Sequence, residues 1–202
     1  KSGLAQGFDS YKDLFSEPGA QKLSVDTMRS AADVVRVGLE TIHAAGQKPF
    51  FVWLHFYDPH HPYVPPFPFS SRFRDHPYDG EIAYVDAQLG ELFAALKTDG
   101  LWDRTVVVVA GDHGEGLYEH GERMHSQRAY ESTLRVPLLI KAPGGTAGAI
   151  VREPVTLADV APTVLELAGL PVPSGLDGIS LRETLRAGKA PLRPIYFESL
   201  AG

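Results

Sequence analysis

Thr105-Val106-Val107-Val108-Val109-Ala110 is the segment that leaves this chain the fewest choices. Consecutive β-branched residues are stiff at χ1 and pack best on a pleated surface, so the run predicts a strand. It breaks off in Gly111-Asp112-His113-Gly114-Glu115, where glycine lets the backbone turn sharply. Residues 50–56 (FFVWLHF) have the same layout, an apolar run patterned as a strand buried on both faces, and they end in Tyr57-Asp58-Pro59-His60-His61-Pro62-Tyr63.

Helical periodicity lies between and around these runs. Residues 25–45 place Val34, Val35, Leu39 and Ile42 at helical spacing, with Gly46 as the stop. Residues 78–96 line Ile82, Val85, Leu89, Leu92 and Leu96 along one face. The stretch 64–77 carries Pro65, Pro66, Pro68 and Pro77, which predicts an extended surface lip and no helix interior. Residues 135–141 read as a strand that starts or lies at an edge because of Pro137. Asp159 is the expected N-cap of a helix ending before Gly169, and Ser180 to Glu183 has capping-box spacing for a short helix stopped by Gly188. Residues 195–199 resemble a last strand. Strands alternating with helices predict an α/β layered sheet, and no composition break within residues 1–202 marks a domain boundary.

Composition removes several classes of function. With 19 Lys+Arg against 25 Asp+Glu, the net charge is −6, and the basic residues are dispersed, so no nucleic acid is expected as a partner. The chain has no apolar run of membrane-spanning length, and its opening KSGLAQGFDS lacks the pattern of an intact signal peptide. Zero cysteines exclude disulfides, thiolate metal sites and a cysteine nucleophile within the 202 residues.

Six of the eight histidines fall in two windows, His55, His60 and His61 in one and His113, His120 and His125 in the other. Both windows open where a predicted strand ends, the place where open α/β sheets bind ligands. Asp112 offers hard oxygen for calcium, magnesium or manganese, and His113 adds a nitrogen that suits zinc or manganese, so the pair is a candidate divalent-cation site. A polar turn capping a buried strand is the alternative. Arg123, His125 and Arg128 can hold or protonate an anion. Prolines on both sides stiffen the loop of His60 and His61, as a preorganised site requires. His55, inside its predicted strand, is expected to be a hydrogen-bonded core residue.

Taken in order, D-P-H-H-P-Y, Y-D-G-E-I-A-Y-V-D, V-V-V-A-G-D-H-G-E-G-L-Y-E-H-G-E, Y-E-S-T-L-R-V-P-L-L-I-K-A-P-G and L-A-D-V-A-P-T-V-L-E-L-A-G-L resemble the sulfatase family of the alkaline phosphatase superfamily, as does the earlier G-F-D-S-Y. The resemblance implies an alkaline-phosphatase-like sandwich with a mostly parallel central sheet flanked by helices. It implies hydrolysis of sulfate esters by a formylglycine nucleophile made within a C/S-x-P-x-R motif. It also implies one divalent cation, calcium before manganese or zinc, held in part by Asp112 and His113. His60 matches the family histidine that contacts the sulfate or assists proton transfer, and His61, Arg123 and Arg128 are candidate substrate-binding residues. The place of the family's sulfate-binding lysine is taken by Ser126, so its neighbour His125 is the expected anion contact. No C/S-x-P-x-R occurs in the chain. The resemblance therefore implies that residues 1–202 are a single partial sulfatase-like catalytic domain, an internal fragment of a longer enzyme that is inactive as an isolated piece, from a family whose members are commonly extracytoplasmic. Two other readings stay open: a phosphoryl-handling relative (phosphonate or phosphodiester hydrolase, or phosphoethanolamine transferase), and a non-catalytic binding remnant of the fold.

Overall fold

A computed structural model describes residues 3–12, 29–125, 128–145 and 148–197. The chain divides into two compact units, Lys1–Thr98 and Asp99–Gly202.

The first unit is built on two helices. Helix α1 (Ala31–Ala45) stops at Gly46, as the sequence predicts, but starts later than expected, at Ser30, whose hydroxyl accepts the Asp33 N–H at 3.2 Å. Residues 25–28 of the expected helix lie outside the described residues. Its inner face buries Ala31, Val34, Val35 and Ile42. A one-turn helix α2 (Phe69–Arg72) falls within the expected lip, which is therefore not extended throughout. Pro68 stands just before that turn, where its missing N–H costs nothing. Helix α3 (Pro77–Thr98) buries Gly80, Glu81, Tyr84, Leu92 and Leu96. Its N-terminal half is thus rotated from the expected face: Ile82 is 45% exposed, and a glutamate takes the inner stripe. Helices α1 and α3 pack on each other, tied by the Ala32 N–H donating to the Tyr84 hydroxyl at 3.1 Å.

Residues 50–56 run without joining a ladder among the described residues. Phe51 and Trp53 are 68% and 52% exposed, so the expected burial on both faces is corrected to one-sided packing with alternate residues turned inward. His55 is exposed, edge-on to Trp53, and is not the expected core residue.

In the second unit, strand β1 (Val107–Ala110) pairs antiparallel with β2 (Leu138–Lys141), Val108 opposite Ile140. A further turn of helix, α4 (Glu131–Leu134), precedes β2, and Pro137 stands just outside the ladder, where its carbonyl accepts the Gly111 N–H. Helices α5 (Val160–Leu167) and α6 (Arg182–Ala187) pack together, and Gly188 stops α6 as expected. At the start of α5 the expected cap is displaced. Thr156 forms the capping box on a short turn Leu157–Asp159, and Asp159 is its third residue. Asp159 is fully buried: it accepts the Thr156 and Ile179 N–H groups, each at 2.9 Å, and pairs with Arg193. Before α6, Ser180 accepts the Arg182 N–H but Leu181 occupies the cap. Residues 195–197 form no strand, and 198–199 lie outside the described residues. No helix among the described residues is long and apolar enough to cross a membrane.

Candidate functional site

In the first unit, the histidine loop is held by its own aromatic residues and by α3. His60 Nδ1 lies 2.7 Å from the His61 carbonyl and 2.5 Å from the Tyr57 hydroxyl oxygen. A carbonyl oxygen only accepts, so Nδ1 carries the proton and the basic lone pair of the neutral ring sits at Nε2. The Tyr57 hydroxyl donates to the same His61 carbonyl at 3.2 Å, and its ring lies 4.4 Å from that of His60. His61 meets the edge of Tyr63, which in turn meets Tyr78 on α3.

Beneath this loop Glu81 is 3% exposed and accepts two backbone N–H groups, His60 at 3.1 Å and Val64 at 2.7 Å. Burial pushes its carboxyl up to about 7, with the charge of Asp58 acting the same way and the two N–H groups opposing. Burial likewise raises Asp58, and it raises Tyr57 together with the charges of Glu81 and Asp58.

In the second unit β1 delivers Asp112 and His113 at its end. Asp112 Oδ1 accepts the His113 N–H at 3.0 Å and lies 3.8 Å from His113 Nε2. His113 Nδ1 faces the Gly114 carbonyl at 2.8 Å, so this ring also carries its proton at Nδ1 and turns Nε2 toward the carboxylate. Gly114 is required by close approach: a Cβ there would stand 2.1 Å from the Ser132 carbonyl oxygen. His125 stacks on His113, centroids 3.8 Å apart and planes 26° apart, and its Nδ1 lies 3.3 Å from the buried Glu115 carboxylate.

Asp112 and His113 fit a divalent cation in donor type, one hard oxygen and one nitrogen, although two donors make only part of a coordination shell. A carboxylate oxygen and an imidazole Nε2 converge from adjacent residues, and the opposite ring nitrogen is engaged by a carbonyl, which is how metal-binding imidazoles are oriented.

The second unit brings together Asp112, His113 and His125 of the expected site residues. Arg123 is exposed on the loop before His125, and Arg128 is an exposed guanidinium donating to the Tyr130 hydroxyl at 3.2 Å, a bond that raises its pKa. Ser126 lies outside the described residues. Sequence reasoning missed Tyr57, Glu81 and Glu115 as supports. The available signals were a tyrosine at the mouth of the histidine loop, a glutamate in register with Tyr84 on α3, and the final residue of G-D-H-G-E.

Residues 2–170 match the Sulfatase family. Arylsulfatase K of Bos taurus is 42% identical over 104 residues, 52% of this chain and 19% of that protein. The Homo sapiens arylsulfatase K is 41% identical over 104 residues, again 52% of this chain and 19% of that protein. The phosphonate monoester hydrolase SpPMH from Silicibacter pomeroyi superposes with a TM-score of 0.70 at 24% identity, over 91% of this chain and 48% of that chain. BT4656 in complex with its substrate D-glucosamine-2-N,6-O-disulfate superposes with a TM-score of 0.53 at 34% identity, over 60% of this chain and 25% of that chain. The matched segment spans about a fifth of the arylsulfatase K relatives, and the chain under half of these structural neighbours. The α/β alkaline-phosphatase-like fold stands in these likenesses, and the chain carries part of it. Of the expected parallel sheet, the described residues form only the antiparallel pair β1 and β2. With a family match running from residue 2 to residue 170, this chain belongs to the sulfatase family.

Proposed function

We propose that the protein hydrolyses sulfate esters, and that residues 1–202 are part of one catalytic domain for that reaction. The observation that carries this reading is local to each ring: His60, His113 and His125 each hold Nδ1 against a carbonyl or carboxylate oxygen, which makes Nε2 the ring nitrogen assigned to the chemistry. Asp112 and His113 would hold a divalent cation, for which calcium is proposed before manganese or zinc. Such an ion supplies Lewis-acid polarisation of the sulfuryl oxygens when bound.

The remaining roles belong to this chain's own side chains. His60, with Nδ1 already protonated, takes up a second proton at Nε2 and gives it to the leaving alcohol oxygen as the S–O bond breaks, its ring fixed by Tyr57 and the His61 carbonyl. His125 contacts the anion through Nε2, with Glu115 behind its Nδ1 compensating the charge when the ring is protonated. His61, Arg123 and Arg128 are assigned to substrate binding, which gives an acidic chain the local positive charge that a sulfate needs. No residue here is assigned as nucleophile, because C/S-x-P-x-R is absent from the sequence, and the 202-residue piece alone is proposed to be inactive.

The test is turnover by the full-length protein of p-nitrophenyl sulfate and of D-glucosamine-2-N,6-O-disulfate, beside a phosphonate monoester. Sulfate release that stops on chelation and returns with calcium is the expected result. Turnover of the phosphonate alone would move the assignment to phosphoryl transfer, and binding of sulfated ligand without turnover would leave a binding remnant.

A further inference from the structure

Residues 58–66 approach α3 at one notch. Gly80 has no side chain there, and a Cβ built on it would stand 2.8 Å from Pro65 Cγ and 3.1 Å from Phe73 Cβ. Any larger residue would hold the loop off the helix. The next residue is Glu81, whose carboxylate is buried in the gap that closes. One of its oxygens accepts the Val64 N–H and the other the His60 N–H, so the two arms of the histidine loop hang from the two oxygens of one side chain. A buried carboxylate is costly unless its lone pairs are used, and here the groups that use them are backbone donors of the loop itself.

We propose that Glu81 is a positioning residue: its carboxylate fixes the backbone of His60 and Val64 on α3 and thereby sets where His60 Nε2 points. This inference rests on the reading of His60 as a proton carrier for ester hydrolysis. Tyr57 and the His61 carbonyl choose which ring nitrogen works, and Glu81 anchors the backbone from which that ring projects. Its chemistry requires two acceptor oxygens. Glutamine has nearly the same shape but offers one acceptor and one NH₂ group, which would face an N–H donor of the loop.

The experiment is a double-mutant cycle in the full-length protein, with Glu81→Gln, His60→Ala and the pair, read as kcat and KM on p-nitrophenyl sulfate. Glu81→Gln is expected to lower kcat by about 10- to 100-fold with little change in KM, since misplacing a reacting group by about an ångström costs that much. In the His60→Ala background the same substitution should cost under about two-fold, because the residue it positions is gone. Equal losses in both backgrounds, or an unchanged kcat in Glu81→Gln, overturn the proposal. The second readout does not depend on turnover: amide hydrogen exchange at His60 and Val64 should speed up at least about 10-fold in Glu81→Gln while exchange in α1 keeps its wild-type rate. Unchanged protection at both amides overturns the anchoring. If the wild type turns over no sulfate ester but the exchange result holds, the hydrolase reading fails and the anchor stands.

Discussion

The His113 and His125 rings lie face to face, 3.8 Å between centroids, although the residues arise from opposite ends of an intervening hairpin. That hairpin is closed by the Gly116 N–H donating to the Met124 carbonyl and the Tyr118 N–H to the Glu122 carbonyl. The stack therefore depends on the loop as a whole, and His125 supports the ring of His113 in addition to the anion contact proposed for it.

Removing the ring at 113 should weaken cation binding more than removing the one at 125. On the proposed assignment His113→Ala deletes a ligand nitrogen, whereas His125→Ala removes the ring stacked on it, and changes in supporting residues typically cost about 10- to 100-fold in affinity. Calcium titration calorimetry on the full-length protein should rank the variants in that order. The reverse ranking would place the ligand on His125.

Gly114 leaves no room for a methyl group. With the Ser132 carbonyl oxygen 2.1 Å from the position of a Cβ, Gly114→Ala must push the G-D-H-G-E turn away from α4. The expected cost is about 1–3 kcal/mol in urea unfolding, as for other overpacked sites, together with reduced calcium affinity. Stability and affinity both equal to wild type would contradict the close approach.

Glu81 should give the protein a distinctive pH dependence. Its carboxyl is raised from 4.5 to about 7, so between those values the folded chain holds a proton that the unfolded chain has released. Stability from this group is fully present below about pH 4.5 and is lost as pH rises through about 7, by an amount on the order of 3 kcal/mol. Denaturation of wild type and Glu81→Gln from pH 4.5 to 8 isolates the effect. The gap between the two should change across that window and stay flat above it. A constant gap would show that the carboxyl titrates alike in both states.

Asp159 and Arg193 should behave as one unit. Arg193→Ala leaves a fully buried carboxylate without its cation, which typically costs about 3–5 kcal/mol. Replacing Asp159 by asparagine in the Arg193→Ala background should recover part of that loss. Strict additivity in thermal or urea unfolding would mean that the pair is not coupled.

Much of this layout is legible in the sequence where one force dominates. The valine run became β1, Gly46 and Gly188 stop their helices, and Asp112 with His113 sits where the strand ends. What was hidden depends on partners distant in sequence. Residues 50–56 have the composition of a buried strand, but a ladder needs a neighbour's donors and acceptors, and composition does not reveal whether one is there. Glu81 is absent from the apolar stripe that the spacing of residues 78–96 predicts. Only the proximity of His60 and Val64, 21 and 17 residues earlier, makes its burial intelligible. Asp159 has the look of an N-cap, and it took Thr156 three residues upstream and Arg193 from a later segment to make it a buried hub.

Gly80 and Glu81 also bear on how this sequence can change over time. A side chain at 80 would lift the loop away and part the carboxylate at 81 from its two donors. A glycine kept at 80 without the glutamate would leave the amides of His60 and Val64 facing an empty notch. Either single step is worse than its starting point, so drift at one position is blocked by the state of the other. The route to a different solution runs through both positions together or through replacement of the histidine loop itself.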